Sequence, residues 1–78
     1  MTASIRETVL DLLSAHADPP ADPEAPLELE SLSLVLLGEE MEERFGLRVA
    51  ARDVVPANFG SVAAMTAFVA SKLGKGGP

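Results

Sequence analysis

The stretch LELESLSLVLLGEEMEERFG, residues 27–46, decides the fold of this 78-residue chain. It follows a proline-rich segment, places Ser31 at the start of a predicted helix, and ends at Gly46, a residue that favours helix C-termini. Apolar residues recur in it at helical spacing, which predicts a helix from about Leu32 to Phe45. A serine at such a position can cap the free N–H groups of the helix, and its hydroxyl can also serve as a point of covalent attachment.

Two apolar arcs run along this helix when its residues are projected at about 100° per residue. The arc that we expect to face the core comprises Leu34, Leu37, Gly38, Met41 and Phe45. The second arc lies next to Ser31 and comprises Leu32, Val35, Leu36 and Glu39. Because a small bundle cannot easily bury both arcs, we interpret the second as a recognition face rimmed by Glu39, Glu42 and Glu43. The alternative is that Leu32 and Val35 are ordinary surface hydrophobes.

The sequence before this helix predicts one more helix and a long loop. Ser4 and Glu7 have the spacing of a capping box, and the apolar residues that follow predict a helix ending near Ala17. Four prolines exclude regular helix from 18 to 30, where Leu27 and Leu29 are expected to anchor the loop to the core.

The sequence after Gly46 predicts an irregular stretch and a final helix. A single helical turn is expected at 57–60, and Ser61 is expected to cap the final helix. The predicted packed stripe of this helix comprises Val62, Met65, Val69 and Leu73, with Phe68 at its edge. We therefore predict one all-α domain over 1–78, a three-to-four-helix bundle structured from about 4 to 73 with a flexible tail at 74–78.

Composition excludes several classes of function. The chain has no cysteine and a single histidine, His16, so it predicts neither a disulfide framework nor a metal cluster. Twelve acidic residues oppose six basic ones, and the net charge of −6 argues against nucleic-acid binding and favours basic protein partners. No apolar run suits a signal peptide or a membrane span, so we expect a cytoplasmic monomer without a membrane interaction.

Three motifs together resemble the acyl and peptidyl carrier proteins. They are Leu29-Glu30-Ser31-Leu32, the run EERFG at 42–46, and the run DVVPANFGSV at 53–62. The resemblance covers about Ile5 to Leu73. Each motif is weak alone, but all three stand in the right order and spacing on a chain of the right size.

The resemblance implies a covalent cofactor on Ser31. In the family, a phosphopantetheinyl transferase uses coenzyme A to modify the serine that opens the second helix. The resulting 4′-phosphopantetheine arm ends in a thiol that holds acyl or aminoacyl groups as thioesters. Glu30 stands where the family most often has aspartate, so the charge is kept but displaced by one methylene.

The resemblance also implies partners. Leu32, Val35 and Glu39 fall where the family contacts its enzymes, and Glu30 and Leu36 complete the predicted partner-recognition set. The expected partners are the transferase, an acyl-loading or adenylating enzyme, and an acyltransferase or synthase that receives the cargo. The positions that match the family's core are Phe45, Val49, Phe59 and Val62.

The function that we predict is a discrete acyl carrier protein acting in trans in polyketide or related natural-product biosynthesis, because the stretch 53–62 looks like carriers of that group. An aminoacyl or peptidyl carrier is one alternative. A second is an acidic helical adaptor without a prosthetic group, in which Ser31 is only a cap. An enzyme is disfavoured because no nucleophile has a base paired with it.

Four further residues are weaker candidates for a functional role. Ser33 and Ser61 are hydroxyl alternatives to Ser31 but lie outside the matching motif. His16 is expected to pack or to cap the end of the first helix. Gly38 costs the helix up to about 1 kcal/mol relative to alanine, and close packing explains it better than space left for a cargo.

Overall fold

Amphipathic helices pack around one apolar core in this protein. The computed structural model describes residues 2–74, with side chains for 5–73, and this part of the chain contains four α-helices and no strand. The helices are α1 (Thr2–Leu13), α2 (Ser31–Phe45), a 3-10 helix (Ala51–Asp53), α3 (Pro56–Phe59) and α4 (Val62–Gly74). The predicted all-α, three-to-four-helix bundle is confirmed. Of the predicted tail, Gly74 is the last residue of α4, and 75–78 lie outside the described residues.

The first helix differs from its prediction at both ends. α1 begins at Thr2, so Ser4 lies inside it, and the predicted capping box of Ser4 and Glu7 at the helix start is wrong. The α-helix ends at Leu13 rather than near Ala17. Tighter turns continue from there, in which the His16 N–H donates to the Leu13 carbonyl, three residues back, at 2.8 Å. The local spacing was helical, but the chain has to turn before the prolines that follow.

Side chains from α1, α2, α3 and α4 form the core. Its buried members are Val9, Leu13, Leu37, Met41, Phe59, Val62, Met65, Phe68 and Val69. The inner arc of α2 is confirmed, because Leu37 and Met41 are fully buried while Leu34 and Phe45 pack against the cluster. Leu73 was expected on the packed stripe of α4, but it is 45% exposed because it lies beyond the core at the end of the helix.

Two predicted helix ends are confirmed by their hydrogen bonds. Gly46 adopts a left-handed conformation with φ of 70°, and its N–H donates to the Glu42 carbonyl at 2.9 Å. Glycine reaches this conformation without a Cβ clash, and it ends α2 there. At the start of α4, the Ser61 hydroxyl accepts a hydrogen bond from the Ala64 N–H at 3.0 Å. Ser61 is therefore the cap that its position predicted.

The proline-rich loop is anchored to the junction of α3 and α4. The Leu27 N–H donates to the Gly60 carbonyl, and the Ala63 N–H donates to the Pro23 carbonyl, both at 2.8 Å. Leu27 and Leu29 pack against the core cluster, as expected. These contacts fix the direction from which the chain enters α2.

Adjacent leucines of α2 test the assignment of its two faces. We expect Leu37→Ala to lower the free energy of unfolding by about 2–5 kcal/mol, because it leaves a cavity in the core. The matched change Leu36→Ala removes a side chain that is 40% exposed, and we expect it to cost much less, near the roughly 0.5 kcal/mol of surface substitutions. Urea unfolding followed by circular dichroism measures both, and equal losses would contradict the orientation of α2.

Candidate functional site

Ser31 is the first residue of α2 and is exposed to solvent. The residue before it, Glu30, has extended backbone angles, and its carbonyl accepts the first helical hydrogen bond, from the Leu34 N–H at 3.0 Å. Glu30 is therefore the N-cap residue, and Ser31 follows it. The alternative in which Ser31 only caps the helix is wrong for this geometry, because the capping position belongs to its neighbour.

The start of α2 suits a phosphate group. Glu30 makes no side-chain capping bond, and the first turn of the helix has no acidic residue. The first N–H groups of an α-helix lack intrahelical partners and carry the positive end of the helix dipole. A phosphodiester on the Ser31 oxygen would lie beside these groups, where negative charge is stabilised.

The other candidate hydroxyls are less suited to attachment. Ser33 is half-buried within the first turn of α2. The Ser61 oxygen is engaged by the Ala64 N–H. For Ser31, no hydrogen bond of the hydroxyl to another side chain or to the backbone is found in residues 2–74, so its oxygen is both exposed and uncommitted.

Two clefts lie beside α2, one near its start and one along its middle. The loop cleft has a volume of about 200 Å³, and its lining includes Leu29, Leu34, Val54, Val55 and Phe59. Ser31 lies in the chain between two of these, Leu29 and Leu34. The helix cleft has a volume of about 270 Å³, and its lining includes Val35, Gly38, Glu42, Val49 and Val54. Val54 is a wall of both clefts.

Gly38 is buried beneath the helix cleft. A Cβ placed there would lie 3.4 Å from the Cγ1 of Val49, which is the loop residue packed over it. The expected close packing of another helix against Gly38 is therefore not seen in the part of the chain that the structure describes, because its nearest side chain belongs to a loop residue at an ordinary contact distance and Gly38 lines the helix cleft.

The second arc of α2 is exposed, as its position predicted. Leu32 is 67% exposed, Val35 51% and Leu36 40%, and Glu39 beside them is also exposed. Glu43 belongs to the acidic rim of this face. Glu42 does not, because it is partly buried and its carboxylate accepts the Val49 N–H at 2.7 Å. The sequence could not show this because the partner lies in the irregular chain after the helix.

Asp53 has a role that the sequence did not reveal. One carboxylate oxygen accepts the Ala50 N–H at 2.9 Å and lies 3.4 Å from the Nζ of Lys72 on α4. The backbone hydrogen bond from Ala50, together with the positive charges of Lys72 and Arg52, lowers the pKa of Asp53 from its usual value, against a smaller opposing effect of desolvation. The 3-10 helix that contains Asp53 was missed because three residues carry no periodicity.

His16 packs just beyond the end of α1, which is one of the two roles predicted for it. Its side chain is only 10% exposed, and Nε2 lies 3.1 Å from a carboxylate oxygen of Glu40 on α2. The predicted capping of helical carbonyls is replaced by this contact between helices. Within residues 2–74 no helix is long and apolar enough to cross a membrane, and no cluster of metal-ligating side chains is found in that part of the chain.

Comparison with known protein families decides what this geometry serves. A family model described as a phosphopantetheine attachment site matches residues 3–69. The chain belongs to this family. No curated protein matches at a significant level, and neither does a solved structure. The family match is therefore the comparison from which the functional argument proceeds.

Membership defines the chemistry of this carrier. Domains of the family hold 4′-phosphopantetheine covalently, are carriers rather than catalysts, and interact with phosphopantetheinyl transferases and biosynthetic enzymes. The arm supplies a thiol when it is attached. An exposed, uncommitted oxygen at the start of α2 fits that group. The predicted family, cofactor and non-catalytic role are confirmed.

The missing cap at Glu30 leads to a stability prediction. Aspartate is among the best N-cap residues because its shorter side chain accepts an N–H from the first turn. We expect Glu30→Asp to raise the free energy of unfolding by about 1 kcal/mol, measured by urea unfolding of the unmodified chain. The control is Glu28→Asp, the same change at an exposed loop position outside the helix. Equal shifts in both variants would show that the cap is not the cause.

Proposed function

We propose that Ser31 is the attachment residue and that the chain carries acyl intermediates as thioesters in polyketide or related natural-product biosynthesis. The observation that supports this most directly is the position of Ser31. It is an exposed first residue of α2 within a chain matched over residues 3–69 by the phosphopantetheine attachment family.

The attachment chemistry assigns one role to this chain. The Ser31 oxygen attacks the phosphorus of coenzyme A that bears the pantetheine, a phosphodiester bond forms, and the adenosine bisphosphate portion leaves. A base on the transferase takes the hydroxyl proton. This chain supplies the oxygen and an N-terminal helix turn that stabilises the negative charge of the product.

The thiol of the carrier has to come from the arm, because the chain contains no cysteine. A tethered thioester reaches each partner at a high effective concentration, so the carrier needs no catalytic group of its own. The resemblance of 53–62 to carriers of secondary metabolism supports a natural-product pathway and a domain that acts in trans. In this proposal the carrier is monomeric and lies in the cytoplasm, where coenzyme A is present.

The α2 face, defined by Leu32, Val35, Leu36 and Glu39, is the proposed surface for partner enzymes, with Glu30 at its N-terminal edge. Exposed apolar side chains rimmed by carboxylates fit a partner with an apolar patch surrounded by basic residues. The proposed partners are a phosphopantetheinyl transferase, an acyl-loading or adenylating enzyme, and an acyltransferase or synthase. The net charge of −6 favours their association with basic surfaces.

Intact mass spectrometry tests the attachment. After incubation with coenzyme A and a broad-specificity transferase, we expect one added phosphopantetheine on the wild-type chain. Ser31→Ala should remain unmodified, while the matched control Ser33→Ala should be modified as the wild type is. Folded wild-type protein without added mass would contradict the proposal, provided that Glu30→Asp is not modified either.

A charge placed on the α2 face tests its role. We expect Val35→Glu to lower kcat/KM of modification by roughly tenfold, as truncation or blocking of a central contact commonly does. The control is Ala67→Glu, the same charge on an exposed position of α4. Both variants should keep the helical circular dichroism of the wild type. Equal rates for the two variants would count against this face.

A further inference from the structure

The 3-10 helix Ala51–Asp53 lies between Val49 and Val54, two half-buried residues that pack against the core. None of its three residues is buried, so apolar packing of its own side chains does not hold it in place. Segments with little buried apolar surface have low local stability unless polar contacts hold them. The polar contacts of this segment converge on Asp53.

Asp53 connects three parts of the structure. Its carboxylate accepts the Ala50 N–H at 2.9 Å and faces the Nζ of Lys72 on α4 at 3.4 Å. Its carbonyl oxygen accepts the side-chain amide of Asn58 on α3, also at 2.9 Å. The same residue therefore joins the chain before the 3-10 helix, the short helix after it, and α4.

Lys72 is itself fixed by more than one contact. Its Nζ lies 5.6 Å from the centroid of the Phe68 ring, and that ring packs at 5.5 Å against Phe59 of α3. Both charged side chains are partly shielded, with Asp53 20% and Lys72 35% exposed. The cation over an aromatic ring adds to the attraction of the carboxylate.

Val54, the residue after Asp53, is a wall of both the loop cleft and the helix cleft. Movement of Asp53 away from Lys72 would therefore move the lining that the two clefts share. The loop cleft is lined by Leu29 and Leu34, the residues on either side of Ser31 in the chain, whereas the helix cleft runs along the middle of α2 from Val35 to Glu42.

We propose that Asp53 is a positioning residue of the carrier site: held by Lys72 and Ala50, it keeps Val54 and α3 in place as the common wall of the two clefts. The effect on the arm rests on the proposed attachment at Ser31, whereas the contact itself does not. Release of Asp53 opens both clefts from this wall, while the packing of α1, α2 and α4 against one another stays intact.

Amide hydrogen exchange on the unmodified chain tests the contact. The amides of Val54, Val55, Asn58 and Phe59 are all hydrogen-bonded and report opening of the wall. We expect Asp53→Asn to speed their exchange by roughly tenfold, since a hydrogen bond with a charged partner is weakened. For Lys72→Met, which keeps much of the apolar stem, we expect a few-fold increase, about the effect of a partly exposed ion pair.

Rescue and a matched control separate positioning from general destabilisation. Lys72→Arg retains the cation and should return exchange at these amides to the wild-type rate. Asp11→Asn removes an exposed ion pair elsewhere in the fold, Asp11 with Arg44 at 2.9 Å, and should leave the same amides unchanged. The methyl signals of Val54 should shift in Asp53→Asn and Lys72→Met but not in Lys72→Arg.

The outcomes are distinct. Unchanged exchange at 54–59 in both Asp53→Asn and Lys72→Met would overturn the proposal. So would a uniform increase across α1, α2 and α4. If Asp53→Asn fails to fold, the comparison of Lys72→Met with Lys72→Arg tests the proposal instead. Mass spectrometry of every variant after transferase treatment runs in parallel: a wild type and a Glu30→Asp variant that both stay unmodified would refute the attachment at Ser31, while the exchange rates would still decide the role of Asp53.

Discussion

The structure depends on one constraint: a small chain has a single core, and α2 can bury only one of its two apolar arcs. Leu37 and Met41 are fully buried in the core, so the helix cannot rotate to cover Leu32 and Val35 without exposing them. A domain of this size buries only about 60% of its unfolded surface, and within residues 2–74 nothing covers the other arc. The proposed attachment residue, Ser31, lies at the edge of that exposed arc.

Entry into α2 is controlled as tightly as its rotation. The loop before it reaches the start of the helix with its backbone hydrogen-bonded to Gly60 and Ala63, at the junction of α3 and α4. Glu30 and Ser31 are consequently held at one place relative to α3 and α4. The proposed attachment at Ser31 benefits from this, because the base of an arm attached there stays fixed while its far end moves.

Most of the fold was predictable from the sequence because its signals are local. The inner arc of α2, the ending at Gly46 and the cap at Ser61 each depend on residues close together in the chain, and each is confirmed. The predicted start of α1 was wrong because a serine followed three residues later by a glutamate also occurs inside helices. Ser31 itself was placed correctly at the helix start, but the capping position belongs to Glu30.

The contacts between distant segments were not predictable. Glu42 with Val49, Asp53 with Lys72, and His16 with Glu40 join residues whose pairing requires the folded chain. In the sequence, each of these acidic residues looks like an ordinary solvent-exposed residue, and no neighbouring residue distinguishes it. A reading of the sequence alone therefore underestimates how many charged residues make contacts between distant segments.

The attachment of the proline-rich loop has a consequence for how this protein changes over time. The two hydrogen bonds that hold the loop use backbone atoms of Pro23, Leu27, Gly60 and Ala63, and backbone atoms are the same whatever side chain is present. Exposed loop positions such as Asp18 and Ala21 are thus free to diverge between relatives. The charge and the size of their side chains can change, which alters this part of the surface, while the path of the chain is preserved.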